Sequence, residues 1–377
     1  MYELQPKPTQ EPFPAGQKHA EQEVYREAIE QIRLADRLGY QTVWAVEHHF
    51  RQGRSACPSN ETFLGALSQV TENIRLGFGV VLMPPAFQHP ARVAEKVATV
   101  DLLSGGRVEW GTGRSTPSEQ IAFHVPKDDR SRAQWRDAFE FVIAAWTNER
   151  LGWKSENIDF PERFMTPKPY QDPHPPAWLA AASVSSAHNA GKLGLGLLSF
   201  ALNQPVSKMA EHINAYRSGQ AECLEPLAKF RNDRVGAYTL VHGTDDLDEA
   251  ESYGLWDSVP WWYQNLAEFT IEWELAELSP EEVANFFPLL EPILRGEIDI
   301  RKYIEQDMII VGTPEQCLEK MIRYEEAGVD QLLCYSQFGS LPNERVLRSI
   351  ELLGTKVIPQ LEKRGHRIDY QALFPAT

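Results

Sequence analysis

Thr42-Val43-Trp44-Ala45-Val46-Glu47-His48-His49-Phe50 runs from a continuous apolar stretch straight into charged and aromatic side chains. The apolar part does not alternate with polar residues, as expected of a strand buried on both faces in a parallel sheet. Before it lies a helical pattern, Glu21–Leu38, closed by Gly39 as a C-cap glycine. Helix, glycine, buried strand and polar end together read as one unit of an α/β fold. Titratable side chains at the C-terminal end of such a strand are where α/β barrels put their chemistry. A histidine pair can take or give a proton near neutral pH. By itself the pair is equally well explained as polar residues entering a loop.

The same rhythm continues along the chain. Strands are expected at Ile74–Leu82, Arg107–Gly113, Ala177–Ala182, Gly196–Phe200, Val235–His242 and Gln331–Tyr335. Helical patterns lie between them: Ala91–Leu103 ends at Ser104-Gly105-Gly106, and Arg130–Asn148 is amphipathic. Pro314–Ala327 starts behind Thr313 as N-cap and stops at Gly328. This order, with whatever the N-terminus supplies, predicts an α/β fold of the TIM (β/α)8 barrel type, one domain over 1–377. A doubly wound open sheet is the competing pattern. It is disfavoured because no Gly-x-Gly-x-x-Gly opens the first helix and the C-terminal continuation would need a separate domain.

Two stretches break the rhythm. Met1–Leu4 is too short for a full first strand and is followed by the proline-rich Pro6–Pro14, so a clipped first strand is expected. From about 245 to 305 the chain is acidic and aromatic, with Trp256, Trp261, Trp262 and Trp273 and no strand signal. A helical insertion before the last strand is expected there, as a lid or pocket wall.

Composition narrows the function. Of 377 residues, 37 are Lys or Arg and 53 are Asp or Glu, a formal net charge of −16. Nucleic acids and anionic membrane surfaces need a basic footprint, so neither is expected as a partner. The four cysteines have no Cys-x-x-Cys spacing, which argues against a disulfide framework or a structural zinc site and for a reducing compartment. No export signal or apolar run of membrane-spanning length is present, so a cytoplasmic location is expected. No metal site is expected, because adjacent histidines point in different directions and no third ligand has suitable spacing.

Other strand ends carry candidates for chemistry. Gly77-Phe78-Gly79-Val80 places glycines inside a buried strand, which often marks close approach of a ligand. In Gly111-Thr112-Gly113-Arg114, small residues would leave room for a flat ligand, with the Arg114 guanidinium at its edge. Ala180-Ala181-Ala182-Ser183-Val184-Ser185-Ser186 passes from strand to helix, and hydroxyls with free N–H groups there can hold an anion or simply cap the helix. With Arg114 and Arg132 nearby, a phosphate is the better explanation. Glycines, a phosphate cradle and a histidine together suggest a flavin mononucleotide pocket.

These segments resemble the bacterial luciferase-like, flavin-dependent monooxygenases, most nearly the luciferase α-chain type. The matching stretches are Gly39–Trp44 into Glu47-His48-His49-Phe50, Ile74–Gly77 through Pro84, His89-Pro90-Ala91-Arg92, Leu103–Arg107 with Gly111–Arg114, the run at 180–186, and Val311-Gly312-Thr313-Pro314. The resemblance implies a TIM barrel binding reduced FMN, supplied by a separate flavin reductase. The reduced flavin would react with O2 to a C4a-hydroperoxide that oxygenates a small organic substrate. It implies His48 as the catalytic histidine, with Glu47, Gly79, Val80, Ala182 and Phe200 about the ring and a cis peptide at Gly79–Val80. Arg114, Arg132, Ser183 and Ser186 match phosphate-binding positions. The tryptophans Trp110, Trp261 and Trp262 are candidate substrate-pocket residues, and a dimer with itself or a related chain is expected by analogy. Gly113 stands where light-emitting luciferases carry a reactive cysteine, and Ala182 replaces an acidic residue, which argues against light emission. Competing readings are a coenzyme F420-dependent hydride-transfer enzyme of the same fold and a non-catalytic flavin-binding subunit.

Overall fold

A computed structural model describes residues 1–7, 15–51, 53–200, 205–269 and 290–365. The apolar runs form one parallel sheet, because side chains buried on both faces need helices outside and a packed interior. Its strands are β1 (Thr42–Ala45), β2 (Arg75–Leu82) and β3 (Val108–Gly113). An antiparallel hairpin follows, β4 (Arg150–Lys154) with β5 (Asp159–Phe164). The sheet then resumes with β6 (Ala177–Ala181), β7 (Gly196–Phe200), β8 (Val235–Gly243), β9 (Ile310–Gly312) and β10 (Gln331–Tyr335). The order is β1-β2-β3-β6-β7-β8-β10. β8 pairs with three strands: Val235–Tyr238 with β7, Gly236–Leu240 with β10, and Val241–Gly243 with β9.

The N-terminal segment joins the two ends of this order. Tyr2 pairs in parallel with Ala45, and its N–H donates to the Trp44 carbonyl at 2.8 Å. On the other side the Met1 amine donates to the Cys334 carbonyl of β10 at 2.7 Å. The expected clipped strand is therefore a single bridge that still links β10 to β1, giving the (β/α)8 arrangement.

The helices follow their signals. α1 (Ala15–Arg37) starts earlier than expected and ends before Gly39 at φ +84°; α2 (Asn60–Ser68) and α3 (Pro90–Ser104) follow, the latter closed by Gly105 at φ +64°. α4 (Pro117–Ala122), α5 (Asp129–Thr147), α6 (Val184–Lys192) and α7 (Val206–Glu222) continue the outer layer. Helix Pro314–Glu326 carries the expected Thr313 cap, reinforced by Gln316 in a capping box. The insertion is helical where described, with α8 (Leu247–Ser252), α9 (Leu255–Phe269), Leu290–Leu294 and Ile300–Glu305. Trp273 lies outside the described residues. β9 has no counterpart among the expected strands, because three residues carry too little periodicity to register.

Alternation in β3 separates the two cores. Trp110 points outward, stacked on Phe139 at 4.8 Å and edge-on to Trp146 at 4.7 Å, both from α5. Glu109 points inward, where its carboxylate takes Arg75 Nε at 2.7 Å, Arg234 Nη2 at 3.1 Å and Trp178 Nε1 at 2.6 Å. A buried carboxylate is tolerable only with such partners. No described helix is long and apolar enough to cross a membrane. The four cysteines form no disulfide.

Candidate active site at the strand ends

The segment after β1 delivers its side chains to a cluster that the sequence alone does not assemble. His48 Nδ1 lies 3.0 Å from Glu119 Oε1, and its Nε2 lies 3.6 Å from Glu3 Oε1. Glu119, fully buried at the start of α4, also accepts the His49 N–H at 2.8 Å and the Thr116 hydroxyl at 3.1 Å, together with the Ser115 hydroxyl. Glu3 takes Arg54 Nε at 3.4 Å and the Tyr335 hydroxyl at 3.1 Å, and Arg51 lies 3.6 Å from Glu3 and 3.5 Å from Glu119. Burial opposes ionisation of Glu119, but the His48 ring, Arg51 and the Ser115 hydroxyl outweigh it and hold the carboxyl well below its usual range. Glu3 is likewise held down, with Arg54, His48 and Arg51 overcoming burial.

Sequence reading missed Glu3, Arg51, Arg54, Glu119 and Tyr335, which arrive from the N-terminal segment, the loop after β1, α4 and β10. One signal was available: Thr116-Pro117-Ser118-Glu119 has capping-box spacing with proline at the first helical position, and the structure forms that box. Glu47 is already engaged, 3.4 Å from the Leu82 N–H, 3.7 Å from Lys96 Nζ and 3.4 Å from His49 Nε2. His49 thus pairs with Glu47 and packs edge-on against Phe123 at 5.1 Å.

At the end of β2 the Gly79–Val80 peptide is cis. The β2–β3 register breaks between Phe78 and Val81, and Asn60 Nδ2 spans the carbonyls of Ala45 and Val80 at 3.3 Å each. Three glycines of β2 and β3 are required by close neighbours. A Cβ on Gly111 would lie 2.1 Å from the Phe78 carbonyl oxygen, and one on Gly77 would lie 2.4 Å from the Trp44 ring. A Cβ on Gly113 would lie 2.6 Å from the Val80 side chain. These three positions leave no room for a side chain beside a neighbouring backbone, a tryptophan and a valine. Thr112 faces outward and donates to the Trp178 carbonyl at 2.8 Å.

The anion-binding candidates lie on neighbouring strand ends, since Thr112 of β3 pairs with Leu179 of β6. Arg114 Nη1 donates to Ser131 Oγ at 2.8 Å. Burial and the nearby Arg132 guanidinium both lower the Arg114 pKa, with Asp129 opposing them. Arg132 itself is 66% exposed and paired with Asp129 at 3.0 Å. Ser183 caps α6, accepting the Ser186 N–H at 3.2 Å, and the two hydroxyls lie 2.6 Å apart. Ala182 and Ser183 are exposed. Two guanidiniums that repel each other at the end of β3, and hydroxyls at the helix N-terminus that follows the adjacent β6, are donor types suited to a phosphate dianion. The donor chemistry therefore fits the phosphate of a flavin mononucleotide.

The aromatic candidates divide. Trp110 is corrected: it is sealed in the helix–sheet layer and cannot line a pocket. Trp262 is buried in contact with the charged cluster, edge-on to Tyr335 at 5.9 Å and 5.3 Å from the Arg54 guanidinium. Trp261 is partly buried against the core. The Phe200 side chain lies outside the described residues. Among the described residues no group of three or more His, Cys, Asp or Glu is arranged to hold a metal ion.

Against known proteins, the profile of the luciferase-like monooxygenases matches residues 11–331. Limonene 1,2-monooxygenase from Rhodococcus erythropolis is 32% identical over 337 residues, covering 88% of this chain and 80% of its own. The oxygenase component of the flavin-dependent trigonelline monooxygenase from Acinetobacter baylyi is 24% identical over 91% of both chains. Among solved structures, the monooxygenase RslO1 from Streptomyces bottropensis superposes with a TM-score of 0.73 at 26% identity, covering 95% of this chain and 98% of its own. An F420-dependent glucose-6-phosphate dehydrogenase from Segniliparus rotundus is 26% identical over 93% of this chain and 98% of its own.

Proposed function

The chain belongs to the luciferase-like monooxygenase family, and from that premise we propose that it is an FMN-dependent monooxygenase. It uses reduced FMN and O2 to put one oxygen atom into a small organic substrate. One observation carries this reading: the half-buried Arg114 guanidinium lies near Arg132 at the end of β3, and β6, which pairs with β3, leads into the serines that open α6. Arg114, Arg132, Ser183 and Ser186 hold the phosphate, and Glu47, Gly79, Val80, Ala182 and Phe200 surround the ring. Reduced FMN supplies the electrons that activate O2. The chain orients the reactants, excludes water and moves a proton through His48. Similarity to the oxygenase component of a two-component enzyme supports a separate flavin reductase as the source of reduced FMN. A dimer, with itself or a related chain, belongs to the same reading. So does a single domain over 1–377 whose insertion near 245–305 walls the substrate pocket.

The F420-dependent relative favours a second reading, hydride transfer without O2. One experiment separates the two. The protein is incubated anaerobically with reduced FMN or with F420, and flavin oxidation is then followed on admitting O2 with a panel of aldehydes, ketones and aromatic amines. Substrate-dependent oxygen incorporation with FMN is expected, and His48→Ala should keep FMN binding and lose turnover. Anaerobic turnover with F420, or peroxide release with no substrate consumed throughout the panel, overturns the monooxygenase reading.

A further inference from the structure

We propose that Glu119 is a positioning residue for His48, fixing the imidazole with its hydrogen on Nδ1 and leaving Nε2 as the nitrogen that exchanges a proton with the bound reactants. This deepens the catalytic reading of His48 and rests on it.

The argument begins with what Glu119 can do. An ionised carboxylate only accepts hydrogen bonds. Glu119 is fully buried, and the His49 N–H, the Ser115 and Thr116 hydroxyls and the Arg51 guanidinium all present hydrogen to it. Oε1 receives the His49 N–H at 2.8 Å and faces His48 Nδ1 at 3.0 Å, so Nδ1 must carry hydrogen. Oε2 receives the Ser115 and Thr116 hydroxyls, and Arg51 Nε stands 3.5 Å from Oε1. With both oxygens occupied the carboxylate cannot turn away from the ring. Ser115 holds φ +70°, a left-handed conformation unfavourable for a residue with a Cβ, while its hydroxyl reaches Glu119.

The other ring nitrogen is left available. Glu3 Oε1 lies 3.6 Å from Nε2, beyond a normal hydrogen bond, and Glu3 is itself held by Arg54 and Tyr335. Nε2 is therefore not consumed in a fixed bond. His48 is thus oriented by one carboxylate, with a second 3.6 Å from its other nitrogen. The His48 side chain is 21% exposed, and Nε2 is the nitrogen that can work.

The tautomer is read directly by NMR of the protein carrying 15N-histidine. Wild type should show His48 protonated at Nδ1, and Glu119→Gln, whose amide can donate, should lose or invert that pattern. Glu119→Gln should also lower kcat about 10–100-fold, the usual cost of removing such an orienting partner. Its FMN dissociation constant should not move, and Glu119→Asp should restore part of the rate. In a His48→Ala background, Glu119→Gln should cost nothing further, since it acts through the ring. An Nε2-protonated His48 in wild type overturns the proposal and needs no variant to fold. An equal loss from Glu119→Gln with and without His48 also overturns it. Wild-type turnover by His48→Ala would instead remove the catalytic reading, while the tautomer assignment would still stand or fall by NMR.

Discussion

Replacing Arg114 with alanine should weaken FMN binding far more than replacing Arg132, and the difference follows from exposure. Arg114 is half-buried, oriented by Ser131 at 2.8 Å, and carries a pKa lowered first by burial and then by Arg132. A charge-assisted hydrogen bond from such a group is worth about 1.5–3 kcal/mol, which raises Kd roughly 10- to 150-fold when it is lost. Arg132 is 66% exposed and already paired with Asp129. An exposed charge contributes about 0–1 kcal/mol, so Arg132→Ala should raise Kd by no more than about fivefold. Arg114→Lys should fall between, because the charge stays and the planar fork is lost. Without FMN, Arg114→Ala should unfold no earlier than wild type, since it also removes repulsion between two cations. Fluorescence titration with FMN, with thermal unfolding of the apoprotein alongside, measures all of this. An Arg132→Ala loss equal to or larger than that of Arg114→Ala would refute the assignment of Arg114 as the principal phosphate anchor.

Two further outcomes follow from packing and burial. Gly111→Ala, whose Cβ would lie 2.1 Å from the Phe78 carbonyl oxygen, should destabilise the fold by at least about 2 kcal/mol in urea unfolding. Gly65→Ala in α2, where nothing lies within 4 Å, should stabilise it by about 0.5–1 kcal/mol, and equal effects would contradict the packing argument. Burial pushes His174 and His242 down from 6.5 to about 4, so the native state refuses protons that the unfolded chain accepts between those values. Stability should therefore hold above pH 6.5 and fall as pH drops toward 4, by up to roughly 3 kcal/mol for each histidine. A urea midpoint unchanged between pH 7 and pH 4.5 would refute it.

How legible the molecule was in its sequence depended on the range of the interaction. Gly196–Phe200 and Gln331–Tyr335 form strands over the expected residues, because an apolar run closed by glycine or polar residues is a local signal. The ends of α1 and α3 follow from Gly39 and Gly105, which adopt the left-handed conformation that glycine tolerates best. β9 was missed because its pairing with Val241–Gly243 is a long-range contact with no local pattern. Trp110 was misplaced because a tryptophan beside glycines reads the same whether the strand turns it inward or outward. Only Phe139 and Trp146 of α5 decide that it packs outside.

His48 was visible as a residue type in a place where barrels do chemistry, and so were Arg114 and the serines as candidate donors to an anion. The sequence by itself determined the alternation of helix and strand and the polar strand ends, since each depends on neighbours a few residues away. Tertiary structure alone decided which nitrogen of His48 is engaged. Glu3, Glu119, Arg51, Arg54 and Tyr335 are brought to that ring from positions 3 to 335 by barrel closure. Hydrogen-bond geometry between residues so far apart is set by how the strands meet, and no spacing along the chain records it.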